Sequence, residues 1–406
     1  MQIQLRIASY LPLRTRIIFL TRVNSHLTRL AHYPGLWTHL SLASIPPQPS
    51  LQPLSTFLLK YTPAKSIESL HNPSTVPPHG FLKFAITLKT LQSRLTSIHL
   101  HGKRVNNLVL AASETLLGKW TKEVIVEQPC DKLDIAQITS FIAAAPRLRV
   151  LSLSGKFAIR QKPYVEFVRA VMTAGAINRL YRRHPEINTR LRTLHLSSST
   201  VQTVPFSHLA SLGSFFPLLE FLRLENWRLT SVGETESLVA IKSLRGLALV
   251  SLDVEKKELY TVVLAKLIHA FPSLEILMLG TRESDLWGWK IFNRKRELGP
   301  SFFESVKLQK LKVLWLRGFT FDPVAFLRLH TPILQFAVLE ECRGSNAGWV
   351  KACRNRWAGI TVVESPVKIR DGVDFAEQIQ RRQRIVRMAK MDTGIRAKRD
   401  GYHASH

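Results

Sequence analysis

Three histidines come first among the residues that could do chemistry. His99, His101 and His195 fall at alternate positions of short predicted strands, where imidazoles on one face could converge on a zinc ion. Two further strands separate His99 from His195. At about 4.8 Å per strand step their rings stand about 14 Å apart, too far to share an ion, so they read as polar lining of a surface. Cys130, Cys342 and Cys353 are an odd count without zinc spacing, which suits a reducing intracellular compartment. The chain has no Gly-x-x-x-x-Gly-Lys loop, no Gly-x-Gly-x-x-Gly, no Gly-x-Ser-x-Gly elbow and no His-Glu-x-x-His helix. No catalytic residue, metal site or cofactor is expected, and the chain is read as a non-enzyme.

The elements carrying these histidines follow from a repeated phrase. Leu148-x-x-Leu151-x-Leu153 recurs from Leu95, Leu191, Leu219, Leu244, Leu274 and Leu311, with a weaker copy from Leu334 and a degenerate one from Thr121. Cys342 follows the weaker copy where such repeats often place Asn or Cys. First positions are 26, 27, 43, 28, 25, 30, 37 and 23 residues apart, which resembles the leucine-rich-repeat period. The fourth and sixth residues of the phrase point to one face of a strand. A strand this short buries that face only by stacking on its neighbours. Pro146, Pro217, Pro272 and Pro332 each stand two residues before the opening Leu and stop the preceding helix. Helices are expected over 133–145, 164–184, 206–215, 259–270 and 324–329. The fold class expected is α/β: a leucine-rich-repeat solenoid, a curved parallel sheet with helices on the convex side.

Residues flanking the inward leucines should face the concave surface. The early strands offer Ser97, His99 and His101, then Val150, Ser152 and Ser154, then Thr193, His195 and Ser197. The later ones offer Phe221, Arg223 and Glu225, then Gly246, Ala248 and Val250, then Ile276, Met278 and Gly280, then Val313, Trp315 and Arg317. Aromatic, Met and Arg side chains are enriched at interface hot spots. The expected substrate-binding set is therefore Phe221, Arg223, Glu225, Ile276, Met278, Trp315 and Arg317, with the last two exposed beside Met278.

Charge narrows the partners less. Lys plus Arg number 57 against 29 acids, a formal net charge of +28. Such a charge attracts polyanions or acidic surfaces without saying which. Few basic residues fall on concave strand positions, so nucleic acid is the less favoured partner. No apolar run has the length of a membrane span, and no membrane association is expected.

Residues 1–42 read as a helical unit. Pro12 breaks the first helix, Thr15 is placed to cap the second, and Pro34-Gly35 signals a turn. The landmarks Leu5-Arg6-Ile7-Ala8-Ser9-Tyr10-Leu11, Arg22-Val23-Asn24, Leu30-Ala31 and Leu36-Trp37-x-x-Leu40 resemble an F-box over about 38 residues. The Leu-Pro pair and Glu with which that family usually opens are not in this sequence, and His26 stands where Trp is common. The resemblance implies binding to a Skp adaptor through Leu5, Ile7, Leu11, Pro12, Leu13, Ile17, Ile18, Leu20, Val23, Leu36 and Trp37. Through the adaptor it implies a cullin, and for the repeats an unknown protein substrate. The implied function is the substrate-recognition subunit of a Skp–cullin–F-box ubiquitin ligase, cytoplasmic and/or nuclear. The same segment lacks Asp and Glu through residue 67 and carries Arg6, Arg14, Arg16 and Arg22, the composition of a mitochondrial transit peptide. The alternative function is a repeat scaffold outside any ligase, binding a protein or a polyanion such as RNA.

The expected organisation is a helical unit over 1–42, a Pro-rich linker and irregular connection over 43–94, a solenoid over 95–365 and a basic tail over 366–406. A helix near Leu54–Tyr61 interrupts the linker. Residues 281–310, with Trp287 and Trp289, are read as an inserted loop. A closing unit holds Trp349, Trp357 and a last strand at Ile360–Val363. In the tail, Phe375–Met388 could form an amphipathic helix, and Arg381-Arg382-Gln383-Arg384 could act in nuclear import.

Overall fold

A computed structural model describes residues 2–22, 25–42, 51–72, 77–102, 105–127, 144–155, 190–205, 216–230, 242–251, 253–254, 260–280, 297–340, 342 and 347–365. The N-terminal helices are α1 (Gln2–Tyr10), α2 (Leu13–Arg22) and α3 (Ser25–Leu30). Strand and helix then alternate as β1 (His39–Ser41), α4 (Gln52–Tyr61), β2 (Ser69–Asn72), α5 (Pro78–Thr90), β3 (Ser97–His101), α6 (Asn107–Glu114) and β4 (Glu123–Glu127). Next come β5 (Val150–Gly155), β6 (Thr193–Pro205), β7 (Phe221–Thr230), β8 (Gly246–Val250), β9 (Asp253–Val254), α7 (Tyr260–His269) and β10 (Ile276–Gly280). The described chain closes with β11 (Glu297–Leu298), α8 (Pro300–Ser305), β12 (Val313–Arg317), β13 (Thr320–Phe321), α9 (Pro323–Phe326), β14 (Phe336–Glu340), α10 (Ala347–Arg356) and β15 (Thr361–Ser365).

The main sheet runs β1-β2-β3-β4-β5-β6-β7-β8-β10-β12-β14-β15, with β9 beside β7 and a separate β11–β13 pair. Neighbours along the sheet from β1 to β14 are parallel. This is a large parallel sheet with flanking helices, built of repeating strand–helix units. Its register is the phrase itself. Ile98, Val124, Leu151, Leu194 and Leu222 stand opposite one another strand by strand, as do Leu247, Leu277, Leu314 and Ala337. These side chains and the apolar faces of the helices form one continuous buried cluster.

Two geometries repeat beyond the leucines. The residue two places after the sixth phrase position takes a left-handed backbone at Gly102, Asn226, Ser251 and Gly318, with φ of 98°, 62°, 54° and 71°. Gly and Asn enter that region at little cost. At Gly102, Ser251 and Gly318 the N–H then donates to the next strand, to the carbonyls of Glu127, Gly280 and Glu340 at 2.8, 2.7 and 2.8 Å. One residue later a side chain donates backwards. Trp227 Nε1–H donates to the Leu196 carbonyl at 3.2 Å, and Cys342 Sγ to the Leu316 carbonyl at 3.3 Å. Both acceptors are sixth-position residues of the strand before. The role expected for Cys342 is thus shared by an indole.

Three expectations need correction. Residues 51–72 and 77–94 are not an irregular connection: β1 and β2 pair with each other and β2 with β3, so ordered strand–helix units precede the first recognised phrase. The phrase is present there in altered form, as Trp37-x-x-Leu40-x-Leu42 and Ile67-x-x-Leu70-x-Asn72, without the opening leucine that marks the later copies. The stretch 281–310 is not one loop. Residues 297–310 hold β11 and α8, whose Phe302 and Phe303 are buried, while 281–296 lie outside the described residues. Thr15 lies within α2 and does not cap it. The helices expected over 164–184 and 206–215, most of that over 133–145, and the tail over 366–406 also fall outside the described residues.

The N-terminal helices are joined to this sheet without a spacer. Trp37 is fully buried, donates its Nε1–H to the Ala31 carbonyl at 2.7 Å and meets Phe57 of α4 edge-on at 5.5 Å. Arg16 fastens the unit from inside. Its guanidinium donates to the backbone carbonyls of Leu36, Ser9 at 2.9 Å and Leu11 at 3.1 Å, and burial pushes its pKa down. It ties the α1–α2 break to the turn before β1, a role its place in an Arg-rich segment does not announce. Arg16→Ala removes charged donors from three carbonyls, each such bond worth about 1.5–3 kcal/mol. We expect about 3 kcal/mol of destabilisation, read as a lower denaturation midpoint, against no more than about 0.5 kcal/mol for the exposed Arg14→Ala.

Candidate interaction surface

The alternation that buries the leucines sends the flanking residues to the opposite face of the sheet. Over β1 to β7 this face is mostly polar and half-buried to exposed, with Ser152 and Ser197 buried within it. His39 Nδ1 lies 2.6 Å from Ser69 Oγ, and Ser41 Oγ lies 3.3 Å from His71 Nδ1. His71 stacks on His99 with ring centroids 4.7 Å apart and planes 26° from parallel. One carboxylate holds the next two imidazoles: Glu127 Oε2 is 3.2 Å from His99 Nε2 and 3.1 Å from His101 Nδ1. Ser97 Oγ donates to Glu123 Oε2 at 2.6 Å.

The electrostatics of this strip follow from crowding. The pKa of His71 is lowered, first by burial and then by the charges His99 and His101 would carry, with Glu127 opposing. Glu127 is held below its ordinary range: burial would raise it, but hydrogen bonds and attraction from His99 and His101 outweigh that. Sequence spacing placed His99 and His101 here but missed His39 and His71, which ride on the two short strands, and Glu127 as their common partner.

Two strands further on, His195 Nδ1 is 2.8 Å from Ser152 Oγ, while its Nε2 is buried with no hydrogen-bond partner. Burial, and then the adjacent Arg223, push its pKa down to about 3. It stands apart from the His99 group, as the strand count requires. Among the described residues no three His, Cys, Asp or Glu side chains are placed to hold a metal ion. Cys353 is buried, which pushes its thiol up to about 12, so it is a packing residue and not a nucleophile at neutral pH.

The accessible strip ends on β7. Arg223 Nη2 donates to Glu225 Oε2 at 3.0 Å, and the Phe221 ring lies over Gly246 so closely that a Cβ there would collide with it. From β8 onward the same face is buried. Ile276, Met278, Trp315 and Arg317 are in register as the phrase predicts, but Trp315 is 2% exposed and the other three are buried too. The expectation of an exposed Trp–Arg–Met patch is therefore corrected. Trp315 Nε1–H donates to Glu340 Oε2 at 3.0 Å, and Arg317 stands opposite Glu340 across the ladder. Alternation tells which face a side chain takes; it does not tell whether that face is covered.

The residues expected to bind an adaptor divide in two. Leu13, Leu20, Leu36 and Trp37 are core, and Leu5 and Ile17 pack partly against it. Leu11 is half-buried and Pro12 exposed; Val23 lies outside the described residues. Ile7 and Ile18 are 49% and 42% exposed. On α1, Ile7 is joined by exposed Ile3 and Tyr10, at the four- and three-residue spacing that lines one helix face.

No protein-family model matches the chain, and no curated protein matches it. Among solved structures it is similar to a leucine-rich-repeat protein of Leptospira interrogans, at 14% identity over 83% of this chain and 98% of that one, with a TM-score of 0.29. No helix among the described residues is long and apolar enough to cross a membrane.

Proposed function

We propose that the chain is a leucine-rich-repeat solenoid with an F-box-like N-terminus, acting as the substrate receptor of a Skp–cullin–F-box ubiquitin ligase. The observation that carries this reading is the exposed apolar face of α1, with a further exposed isoleucine on α2. Ile3, Ile7, Tyr10 and Ile18 are exposed on a unit whose other side is fixed to the sheet by Trp37 and Arg16. Large apolar side chains grouped in this way mark a surface that a partner covers. Within this reading the Skp adaptor covers it and brings a cullin. The core residues Leu13, Leu20, Leu36 and Trp37 shape the surface without touching the adaptor.

The substrate then docks on the accessible strip, with Phe221, Arg223 and Glu225 as its aromatic and charged end. Ile276, Met278, Trp315 and Arg317 contribute by holding that end of the sheet rigid. The chain supplies no catalytic group; ubiquitin transfer falls to other subunits. Affinity purification of the full chain with mass spectrometry tests this. Adaptor and cullin should co-purify with the wild type and disappear with the Ile7→Asp, Ile18→Asp double variant. Their absence from the wild-type sample would overturn the ligase reading.

A further inference from the structure

The turns that follow α4, α5 and α6 lie side by side, and the latter two, with Lys65 from the first, line an open cavity of about 360 Å³. Lys65 N–H donates to the Leu91 carbonyl at 2.9 Å, fastening the first turn to the second. Four cations line the cavity, Lys65, Lys89, Arg94 and Lys119, with no Asp or Glu among the lining residues. Trp120 lies among them. It is 38% exposed, whereas the other five described tryptophans are 4% exposed or less. The Arg94 guanidinium is 4.8 Å and the Lys119 ammonium 5.3 Å from its ring.

Simple helix-end chemistry does not account for this set. Cations in a last helical turn are expected beside free carbonyls, and Lys89 has such a place. Lys65, Arg94 and Lys119 come after their helices. The carbonyls at the ends of α5 and α6 are already taken: Gln92 and Ser93 N–H donate to Lys89 and Leu88, and Leu116 and Leu117 N–H to Ser113 and Glu114. Further along the sheet some basic residues beside the strands find carboxylates, as Arg192 does in Glu220 at 2.9 Å and Lys312 in Glu275 at 2.7 Å. The four cations of the cavity have no such partner among the described residues. Ser93 also lines the cavity, with its Oγ buried beneath the wall and without a hydrogen-bond partner.

We infer that this cavity binds a nucleoside phosphate, either as a free nucleotide or as one unit of a single-stranded nucleic acid. The cations meet the phosphate, and the Trp120 ring stacks the base in exchange for a cation now resting on it. Base stacking on an aromatic side chain ringed by Lys and Arg is the general chemistry of single-strand binding. The volume falls at the small end of ligand pockets, the size for one nucleotide. The site is separate from the adaptor and substrate surfaces and does not depend on them.

The test is fluorescence anisotropy of a labelled eight-residue oligouridylate with the full chain, with UMP, inorganic phosphate and a phosphoserine peptide as competitors. Wild type should bind, and UMP should compete better than phosphate or peptide if a free nucleotide suffices. Binding of the oligomer without competition by UMP assigns the site to a strand. Trp120→Ala should weaken binding about tenfold or more. Arg94→Gln with Lys119→Gln should weaken it and lower the salt dependence by about 0.7 in log–log slope per cation removed. Lys307→Gln with Lys310→Gln makes the same charge change at exposed positions elsewhere and should have little effect. All variants must melt like the wild type, with Trp120→Phe substituting if Trp120→Ala does not. No binding by the wild type overturns the proposal. So does indifference to the Trp120 variant, losses matched by the control pair, or competition by phosphopeptide as strong as by UMP.

Discussion

A Leu151→Asp chain should not fold. Leu151 is fully buried at the centre of β5, between Val124 on one side and Leu194 on the other. The new carboxylate has no partner there. It must either stay charged in an apolar layer or take up a proton, and each route costs several kcal/mol. That is a large share of the roughly 5–15 kcal/mol that holds a typical domain together. Because each repeat is stabilised by its neighbours, the loss is not confined to one strand. Ser154 on the same strand is half-exposed on the other face, and the uncharged Ser154→Asn should shift stability by only about 0.5 kcal/mol. An unchanged melting curve for Leu151→Asp would show that the register is wrong.

Acidification should destabilise the protein before its carboxylates titrate, mainly through His195. The groups facing it are Ser152 on β5 and Arg223 on β7, the latter paired with Glu225. Its folded pKa is about 3, lowered by burial and then by Arg223; in the unfolded chain it is about 6.5. Below about 6.5 the unfolded chain takes up a proton that the folded chain refuses. Stability is therefore complete above that pH and falls as the pH drops toward 3, by about 1.4 kcal/mol per pH unit. At pH 5 the loss from His195 alone is about 2 kcal/mol. His71, also lowered, adds in the same sense. Glu127 works in the other window: its lowered pKa stabilises the fold above the ordinary carboxylate range and is lost only below it. Denaturation midpoints from pH 7.5 to 5 should thus fall steeply for the wild type and less steeply for His195→Gln. Parallel slopes would remove His195 as the cause.

How far this was legible depends on which physical constraint was local. Leu148, Leu151 and Leu153 announce a strand and its inward face because the phrase recurs and the burial it demands is the same each time. The two first strands escape notice because their phrases, Trp37-x-x-Leu40-x-Leu42 and Ile67-x-x-Leu70-x-Asn72, lack the opening leucine, and the second ends on a polar residue. The left-handed turn after each strand is written as Gly, Asn, Ser and Gly at one phrase position, a signal too varied in letters to read without the geometry. Arg16 shows a different limit. Its sequence neighbours suggest a solvated or targeting charge, while its three carbonyl acceptors are assembled only by the fold.

The candidate surface divides along the same line. Register put Met278 beside Trp315 and Arg223 beside His195, and the strands obey it. Exposure did not follow, since Trp315 and Arg317 are buried with Glu340. Trp120 is silent in sequence because it stands in the turn before the degenerate phrase that begins at Thr121, where no periodicity marks a residue. Ile7 and Ile18 were named with core residues because an amphipathic pattern marks an apolar face without saying whether the protein itself or a partner covers it.

The most direct measurement is a titration of purified Skp adaptor against the purified full chain by calorimetry. The account predicts a saturable one-to-one complex with a negative heat-capacity change, the mark of buried apolar surface. Ile7→Asp with Ile18→Asp should abolish it while leaving the melting curve intact. A wild-type chain that gives no binding heat at any temperature and no complex on gel filtration would contradict the account. So would a complex indifferent to Ile7 and Ile18.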